Sequence, residues 1–271
     1  MFNHILLATD FSPPLDKLVD RLDFFYRFGA RRITLLFVRR VGYPSTISPT
    51  HIPRYREFLD EMAVQLREQK WEVDLRLEEG RPGIRIPEIA DEVDADLIAL
   101  ANHGHSNLEE VILGSVATEV LEHASAPVFL FSSLVDGDIL GETLVHPTDF
   151  SKAADQALSM IPNFFSQHQP RVILVHAREE GSKITVEEAR QKLVERRDVL
   201  TTMGIKEITI EVSGGRPRKV VAEAAVRYPE ALFMMGSRGL GWLEDLMLGG
   251  VSRTMARKGS HHIIFVPDQT E

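Results

Sequence analysis

The 271-residue chain contains no cysteine, which excludes disulfide bonds and thiolate metal sites and fits a reducing compartment. It also contains no apolar run that approaches the ~20 residues needed to span a bilayer. The amino-terminal stretch Met1–Asp10 lacks a basic segment, and its apolar run is too short for a signal peptide. We therefore expect a cytoplasmic protein that makes no membrane contact.

An excess of positive charge is missing as well. The chain has 31 Lys and Arg against 40 Asp and Glu, a formal net charge of −9, whereas a nucleic-acid surface needs concentrated basic residues. Apolar residues, in contrast, make up 44% of the chain. Together with the length, this content predicts a globular protein with two cores, that is, two domains of ordinary size.

An internal repeat divides the chain into those two domains. The Thr-Asp-Phe-Ser motif of Thr9–Ser12 recurs 139 residues later at Thr148–Ser151. A Gly-Arg-Pro motif and a glycine loop recur at an offset of 135 residues, at Gly80 and Gly215 and at Gly104 and Gly239. Because the repeat is domain-sized and too long for a solenoid unit, we expect a duplication with domains at residues 1–136 and 137–271.

Each half alternates short apolar runs with segments of helical periodicity. Runs such as Ile5–Ala8, Ile33–Val38 and Leu97–Leu100 suit strands that are buried on both faces. Apolar residues at helical spacing predict a helix that carries residues 15–25 and another over residues 54–69. This alternation predicts an α/β fold with two Rossmann-like, parallel, five-stranded sheets and flanking helices.

Two features of each half fall at the carboxyl ends of strands, where open parallel sheets bind ligands. The first is the aspartate after the first strand, Asp10 or Asp149. The second is the glycine loop after the fourth strand, where backbone N–H groups can converge on an anion before a new helix begins. A carboxylate for ribose hydroxyls or the adenine amine, combined with amides for phosphates, suits a nucleotide.

On these motifs each half resembles the universal stress protein family, whose signature after the fourth strand is Gly-x2-Gly-x9-Gly-[Ser/Thr]. The resemblance covers nearly the whole chain and is of the tandem type, with an adenine nucleotide alpha hydrolase-like fold in each half. It implies that ATP, or AMP or ADP, binds with Mg²⁺ as a regulatory ligand in a stress response. It also implies that the closing strands Val128–Phe131 and Ile263–Val266 pair antiparallel in a pseudo-two-fold internal dimer.

The resemblance also implies which residues hold the nucleotide. In each half they are the aspartate, the residue that ends the second strand, and the glycine loop with the residues that follow it. In the first half these positions are Asp10, Val38, Gly104, Gly114, Ser115 and Val116. In the second half they are Asp149, Ala177, Gly236, Arg238, Gly239, Gly249, Gly250, Val251 and Ser252.

The first half departs further from the family's pattern than the second. Ala101 places a Cβ where the family has glycine, and His103 stands where the second half has the fixed charge of Arg238. In the second half Gly250 replaces a Ser or Thr, which removes one hydroxyl hydrogen bond but keeps the backbone amide. We therefore expect the second half to be the better nucleotide site.

Other interpretations remain open, as do protein partners and homodimerisation. An interaction or scaffold protein with degenerate sites would keep the loops only for their backbone geometry. A slow ATPase would hydrolyse without an obvious general base, because the sequence supplies none. A metal site at His103 and His105, or at His261 and His262, would lack carboxylates at ligand spacing nearby.

The Thr-Asp-Phe-Ser motif also has a purely structural interpretation. Asp10 and Asp149 would serve only the fold if they cap the helices that follow them, because aspartate is a preferred cap residue. Ser12 and Ser151 qualify as helix caps for the same reason, and we assign them that role rather than a nucleophilic one.

Overall fold

The computed structural model describes residues 2–40, 52–102, 114–135, 139, 143–164, 171–237 and 261–268. These residues form two compact units, one made of residues 2–101 with Gly114–Phe129 and the other of the residues from Leu130 onward. In these ranges no helix combines the length and apolar character needed to cross a bilayer. Both units are α/β, as the alternation of apolar runs predicts.

The first unit follows the predicted order of strands and helices. Its elements are β1 (His4–Thr9), α1 (Pro13–Val19), α2 (Asp23–Arg27), β2 (Arg32–Arg39), α3 (Ile52–Glu68), β3 (Glu72–Glu79), α4 (Pro82–Glu92), β4 (Leu97–Asn102), α5 (Ser115–His123) and the start of β5 (Val128–Ser132).

The predicted helix that carries residues 15–25 is divided into α1 and α2. Between them the Arg21 amide donates to the Leu18 carbonyl at 3.0 Å and the Leu22 amide to the Val19 carbonyl at 3.3 Å. These hydrogen bonds span three residues instead of four, so the chain tightens into a turn. Leu22 is nevertheless fully buried, because a three-residue spacing keeps it on the same face.

The second unit repeats this order. Its elements are β6 (Thr143–Pro147), α6 (Lys152–Met160) with a 3₁₀ turn at Ile161–Phe164, β7 (Arg171–Arg178), α7 (Val186–Thr202), β8 (Ile208–Gly214), α8 (Pro217–Arg227), β9 (Leu232–Gly236) and β10 (Ile263–Val266).

The strand order reverses at the same place in each unit. The order is β3-β2-β1-β4-β5 in the first unit and β8-β7-β6-β9-β10 in the second. The central strand β1 pairs in parallel with β2 and β4, and β6 pairs in parallel with β7 and β9. Side chains of these central strands, such as Leu6, Leu7 and Val145, are fully buried, which explains their continuous apolar runs.

The Gly-Arg-Pro motif forms the same turn in both units. Gly80 has φ +146° and Gly215 has φ +124°, values that favour glycine. The Gly80 amide donates to the Arg39 carbonyl at 2.9 Å, and the Gly215 amide donates to the Arg178 carbonyl at 3.0 Å. The motif thus recurs in backbone conformation and hydrogen bonding as well as in sequence.

Candidate functional site

The strand order reverses between β1 and β4 in the first unit and between β6 and β9 in the second. Open parallel sheets bind ligands at the carboxyl ends of the strands at such a point. Asp10 follows directly after β1, and Asp149 lies two residues beyond the end of β6. Gly236 is the last residue of β9, and Gly114 directly precedes α5. The predicted site residues that the structure describes therefore lie at the edge where such sheets bind ligands.

Thr9–Ser12 forms a turn that is closed by two side-chain hydrogen bonds. The Phe11 amide donates to Thr9 Oγ1 at 3.0 Å, and the Ser12 amide donates to Asp10 Oδ1 at 3.2 Å. One carboxylate oxygen of Asp10 thereby fixes the orientation of its own side chain, which is exposed at the carboxyl end of β1.

Thr148–Ser151 forms the same turn in the second unit. The Phe150 amide donates to Thr148 Oγ1 at 3.0 Å, and the Ser151 amide donates to Asp149 Oδ1 at 3.0 Å. Asp149 is half-buried, so its carboxylate is less exposed than that of Asp10. The two turns match bond for bond.

The phenylalanine of each turn has a strained backbone. Phe11 has φ +58° and Phe150 has φ +65°, both in the left-handed region that bulky residues avoid. Such a residue costs about 1–3 kcal/mol and persists only where its surroundings hold it. Strain of this kind is concentrated at ligand sites, which is consistent with a functional role for the turn.

The two serines of the turns differ as helix caps. Ser151 Oγ accepts a hydrogen bond from the Ala154 amide at 3.3 Å, so its predicted capping role is confirmed. Ser12 occupies the predicted cap position of α1, but its side chain makes no capping bond. Pro14 offers no N–H, and the Leu15 amide donates to the Ser12 backbone carbonyl at 2.9 Å instead.

Neither aspartate caps its helix directly. Each carboxylate accepts from the amide of the serine at the cap position and so orders the turn before the helix rather than the first helical turn. The structural role predicted for Asp10 and Asp149 is therefore confirmed only as a role in the turn. A carboxylate has two oxygens and several acceptor positions, of which this bond uses one.

Aromatic rings support the turn of the first unit. The ring of Phe11 has its centroid 4.8 Å from that of Phe37, 5.4 Å from that of Phe58 and 5.8 Å from that of Tyr55. All four side chains are half-buried at the carboxyl edge. Arg54 lies over the Phe58 ring at 5.3 Å.

A histidine and two cations support the turn of the second unit. Phe150 stacks on His176 with the ring centroids 4.2 Å apart and an interplanar angle of 23°. The Arg196 guanidinium carbon lies 4.7 Å from the Phe150 centroid, and Lys192 Nζ lies 5.5 Å from it. Arg196 is anchored by two hydrogen bonds to the Asp155 carboxylate, at 2.7 and 2.8 Å.

His176 also binds the backbone of the turn. Its Nδ1 lies 2.8 Å from the carbonyl oxygen of Thr148. Burial lowers the pKa of His176, and the positive charges of Arg196 and Lys192 lower it further, while the hydrogen bond to Thr148 and the charge of Asp149 act in the opposite direction. The ring is therefore neutral near pH 7. His176 was absent from the predicted site residues. The internal repeat, in which His176 aligns with Phe37, offered a signal for it.

The residues at the ends of β2 and β7 have different neighbours. Val38 is buried and pairs in register with Glu78, whose carboxylate binds Arg85 at 3.1 Å. Ala177 is half-buried and pairs with Ser213. The second unit thus has smaller and uncharged side chains at this position.

Gly236 has a packing role. A Cβ at this position would lie 2.8 Å from the Ala153 carbonyl carbon, the Ala153 Cβ and the Ala154 amide nitrogen. These are helix atoms that cannot rotate away, so the close approach of α6 to β9 requires glycine here. Because this requirement belongs to α6, Ala101 in the first unit is no sign by itself of a damaged loop.

The predicted phosphate-binding residues of the first half begin α5. Gly114 has an extended backbone, with φ −62°, and a Cβ there would meet no atom within 4 Å. Ser115 is exposed and Val116 is half-buried. Neither backbone conformation nor packing against the described residues explains the glycine.

An ion pair holds the second turn of α5. Arg81 donates to both carboxylate oxygens of Glu119, at 2.9 and 2.6 Å. The hydrogen bonds from Arg81 lower the pKa of Glu119. This pair connects the Gly-Arg-Pro turn to the helix that begins at Gly114.

Several predicted residues lie outside the described ranges. They are Gly104, Arg238, Gly239, Gly249, Gly250, Val251 and Ser252, together with the histidines His103 and His105. For the remaining histidine pair, His261 Nε2 donates to the Tyr228 carbonyl at 2.9 Å, so this nitrogen offers no lone pair to a metal. Within the described ranges, no group of three His, Asp or Glu side chains converges as metal ligands would.

The sequence model of the universal stress protein family matches the chain twice, at residues 1–132 and 142–267. Universal stress protein MJ0531 of Methanocaldococcus jannaschii is 39% identical over 64 residues, which cover 23% of this chain and 38% of that protein. Universal stress protein MJ0577 of the same organism is 27% identical over 153 residues, which cover 48% of this chain and 94% of that protein. The chain thus spans well under half of the first relative and nearly all of the second.

A solved structure matches the fold. The crystal structure of a universal stress protein from Archaeoglobus fulgidus is 24% identical, covers 98% of this chain with 99% of its own length, and has a TM-score of 0.80. This likeness shows that the α/β architecture is shared.

Proposed function

The chain belongs to the universal stress protein family, and from this premise we propose that its second half binds ATP or a related adenine nucleotide, with Mg²⁺, as a regulatory ligand. The observation that carries the proposal is the Thr148–Ser151 turn, which orients Asp149 at the reversal of strand order through a hydrogen bond of 3.0 Å. The first half has the equivalent turn around Asp10, and we assign the weaker site to it.

Each part of the nucleotide has a matching group in this proposal. The Asp149 carboxylate accepts from ribose hydroxyls or from the adenine amine, and Ala177 lines the base. The amides of the loop around Gly239 and Gly249 hold the phosphates, as the family resemblance implies. Lys192, beside the turn, supplies positive charge that favours a polyanion. The charge of Arg196 is balanced by its pair with Asp155.

We assign the nucleotide the role of a ligand that biases conformation or partner binding in a cytoplasmic stress response. The sequence supplies no residue that would position a water in line for attack, so any hydrolysis is slow. Mg²⁺ commonly reaches a protein through nucleotide phosphates and retains several waters.

The test begins with mass spectrometry of nucleotide released from the purified chain, followed by calorimetric titration with Mg²⁺-ATP. Asp149→Ala should weaken ATP binding about tenfold, since it removes a hydrogen bond to a charged acceptor. The matched Asp10→Ala should change the total binding less. Likewise, Gly239→Val should cost more affinity than Gly104→Val.

Two outcomes would overturn parts of this proposal. If no nucleotide is released and no heat appears at millimolar ATP, the chain is an interaction protein that keeps the loops for backbone geometry. If the matched variants of the two halves lose equal affinity, the ranking of the sites is wrong although nucleotide binding stands.

A further inference from the structure

His176 contacts the residues on both sides of Asp149. It hydrogen-bonds the carbonyl of Thr148, the preceding residue, and it stacks on the ring of Phe150, the following residue. We propose that His176 is a positioning residue, which holds the Asp149 carboxylate in place for the nucleotide. This inference rests on the proposed function of the second half, since it states how that site is built.

The hydrogen bond determines which nitrogen of the neutral ring carries the hydrogen. A carbonyl oxygen can only accept, so Nδ1 of His176 carries the hydrogen and donates to Thr148 over 2.8 Å. The Thr148 amide in turn donates to the Val175 carbonyl at 2.8 Å. Both backbone groups of the residue before Asp149 are therefore bound to β7.

The stack holds the other side of the turn. Phe150 has a positive φ, a conformation that persists only where surrounding contacts hold it. Its ring packs on His176 at 4.2 Å and meets the Arg196 guanidinium at 4.7 Å, and Arg196 is itself anchored to Asp155. The strained residue after Asp149 is thus held by a ring that cannot move without breaking the Thr148 bond.

In the first unit the equivalent turn packs against a ring that has no hydrogen-bond donor. By register, Phe37 is the counterpart of His176, because it pairs with Thr9 at the end of β1. The pairing of β1 with β2 extends to Thr9, whereas that of β6 with β7 ends at Pro147, one residue earlier in the repeat. In the second unit the His176 side chain binds the backbone carbonyl just beyond the end of the ladder, which a phenylalanine cannot do.

Two substitutions separate the two contacts of His176. His176→Phe keeps a ring for the stack and removes the donor, as in the first unit. His176→Asn removes the stack and keeps a donor, because Asn Nδ2 is bonded to Cγ as His Nδ1 is. ATP binding is measured by calorimetry on the full-length chain in an Asp10→Ala background, so that the second-half site dominates.

We expect His176→Phe to weaken ATP binding about three- to tenfold, the equivalent of one hydrogen bond. His176→Asn should recover only part of that loss, because it restores the donor but not the stack. The matched control is His261→Phe, which removes the 2.9 Å bond from His261 to the Tyr228 carbonyl at the opposite edge of the sheet. This control should bind ATP with unchanged affinity. In the wild-type chain, ¹⁵N NMR should show hydrogen on Nδ1 of His176.

Several results would overturn the role. They are unchanged affinity in His176→Phe, an Asn variant as weak as the Phe variant, an equal loss in His261→Phe, or a wild-type ring with hydrogen on Nε2 alone. If the wild-type chain does not bind ATP, the proposed function itself fails. Wild-type binding together with any of the other results removes only the role of His176.

Discussion

The two halves build the same turn on different supports. Thr9–Ser12 and Thr148–Ser151 form the same pair of hydrogen bonds, yet the first turn packs among aromatic rings and the second against a histidine, an arginine and a lysine. The same four consecutive residues thus form the turn in both halves, while the residues that pack against it are distant in sequence and have diverged. Differences in function between the halves should therefore be sought in the supports as well as in the shared motif.

Low pH should produce the largest difference in stability between the two halves. Burial lowers the pKa of His146 to about 4, and it also lowers the pKa values of His176 and His261 in the second unit. In the first unit burial lowers the pKa of His4. The comparison therefore predicts that the second unit unfolds first as the pH falls.

The direction in which pH changes the stability follows from which state, folded or unfolded, takes up the proton first. The folded-state pKa of His146 lies below its ordinary value of 6.5, so the unfolded chain takes up the proton first. Stability is fully present above about pH 6.5 and is lost toward pH 4, by about 3 kcal/mol for His146 alone. Hydrogen exchange of the β6 and β1 amides between pH 7 and pH 4.5 measures the two units separately.

The repeat supplies a control for the acid prediction. Leu7 occupies the place of His146 in the first half, so His146→Leu should flatten the pH dependence of the second unit. The comparison concerns the slope, because the substitution also removes the 2.8 Å hydrogen bond to the Met234 carbonyl at every pH. If the slope of the variant equals that of the wild type, His146 does not titrate as its burial implies.

Gly236 and Ala101 provide the next largest contrast. Gly236→Ala should lower the free energy of unfolding by about 2 kcal/mol, because its Cβ would overlap the backbone of α6. The reverse change, Ala101→Gly, should cost only about 0.5–1 kcal/mol through backbone entropy. Urea denaturation of both variants measures the difference. If Gly236→Ala leaves the free energy of unfolding unchanged, packing does not require this glycine. Its role would then lie in nucleotide binding, as the family resemblance implies.

The repeat made much of this architecture predictable. The central strands, the Gly-Arg-Pro turns and the position of both aspartates followed from apolar runs and from motifs that recur at a domain-sized offset. The break between α1 and α2 did not, because residues spaced by three or by four keep the same face buried, and periodicity alone does not distinguish them.

The supports of the two turns were not predictable in the same way. The role of His176 depends on strand register and ring orientation, which bring it onto Thr148 and Phe150 from 26 or more residues away in sequence. The packing role of Gly236 depends on how closely α6 approaches β9. Both are properties of tertiary contact, so the residues next to them in the sequence give no signal. For His176 the signal was the internal repeat, which aligns it with Phe37.

The two serines test the comparison at its finest level. Ser151→Ala should destabilise the second unit by about 1 kcal/mol, because it removes the side-chain oxygen that caps α6. Ser12→Ala should change the stability of the first unit very little, since Ser12 Oγ is buried and has no hydrogen-bond partner among the described residues. Urea denaturation of both variants supplies the measurement. Equal losses would mean that Ser12 does cap α1 in solution, and the Pro13–Pro14 entry would then not be what distinguishes the two helix starts.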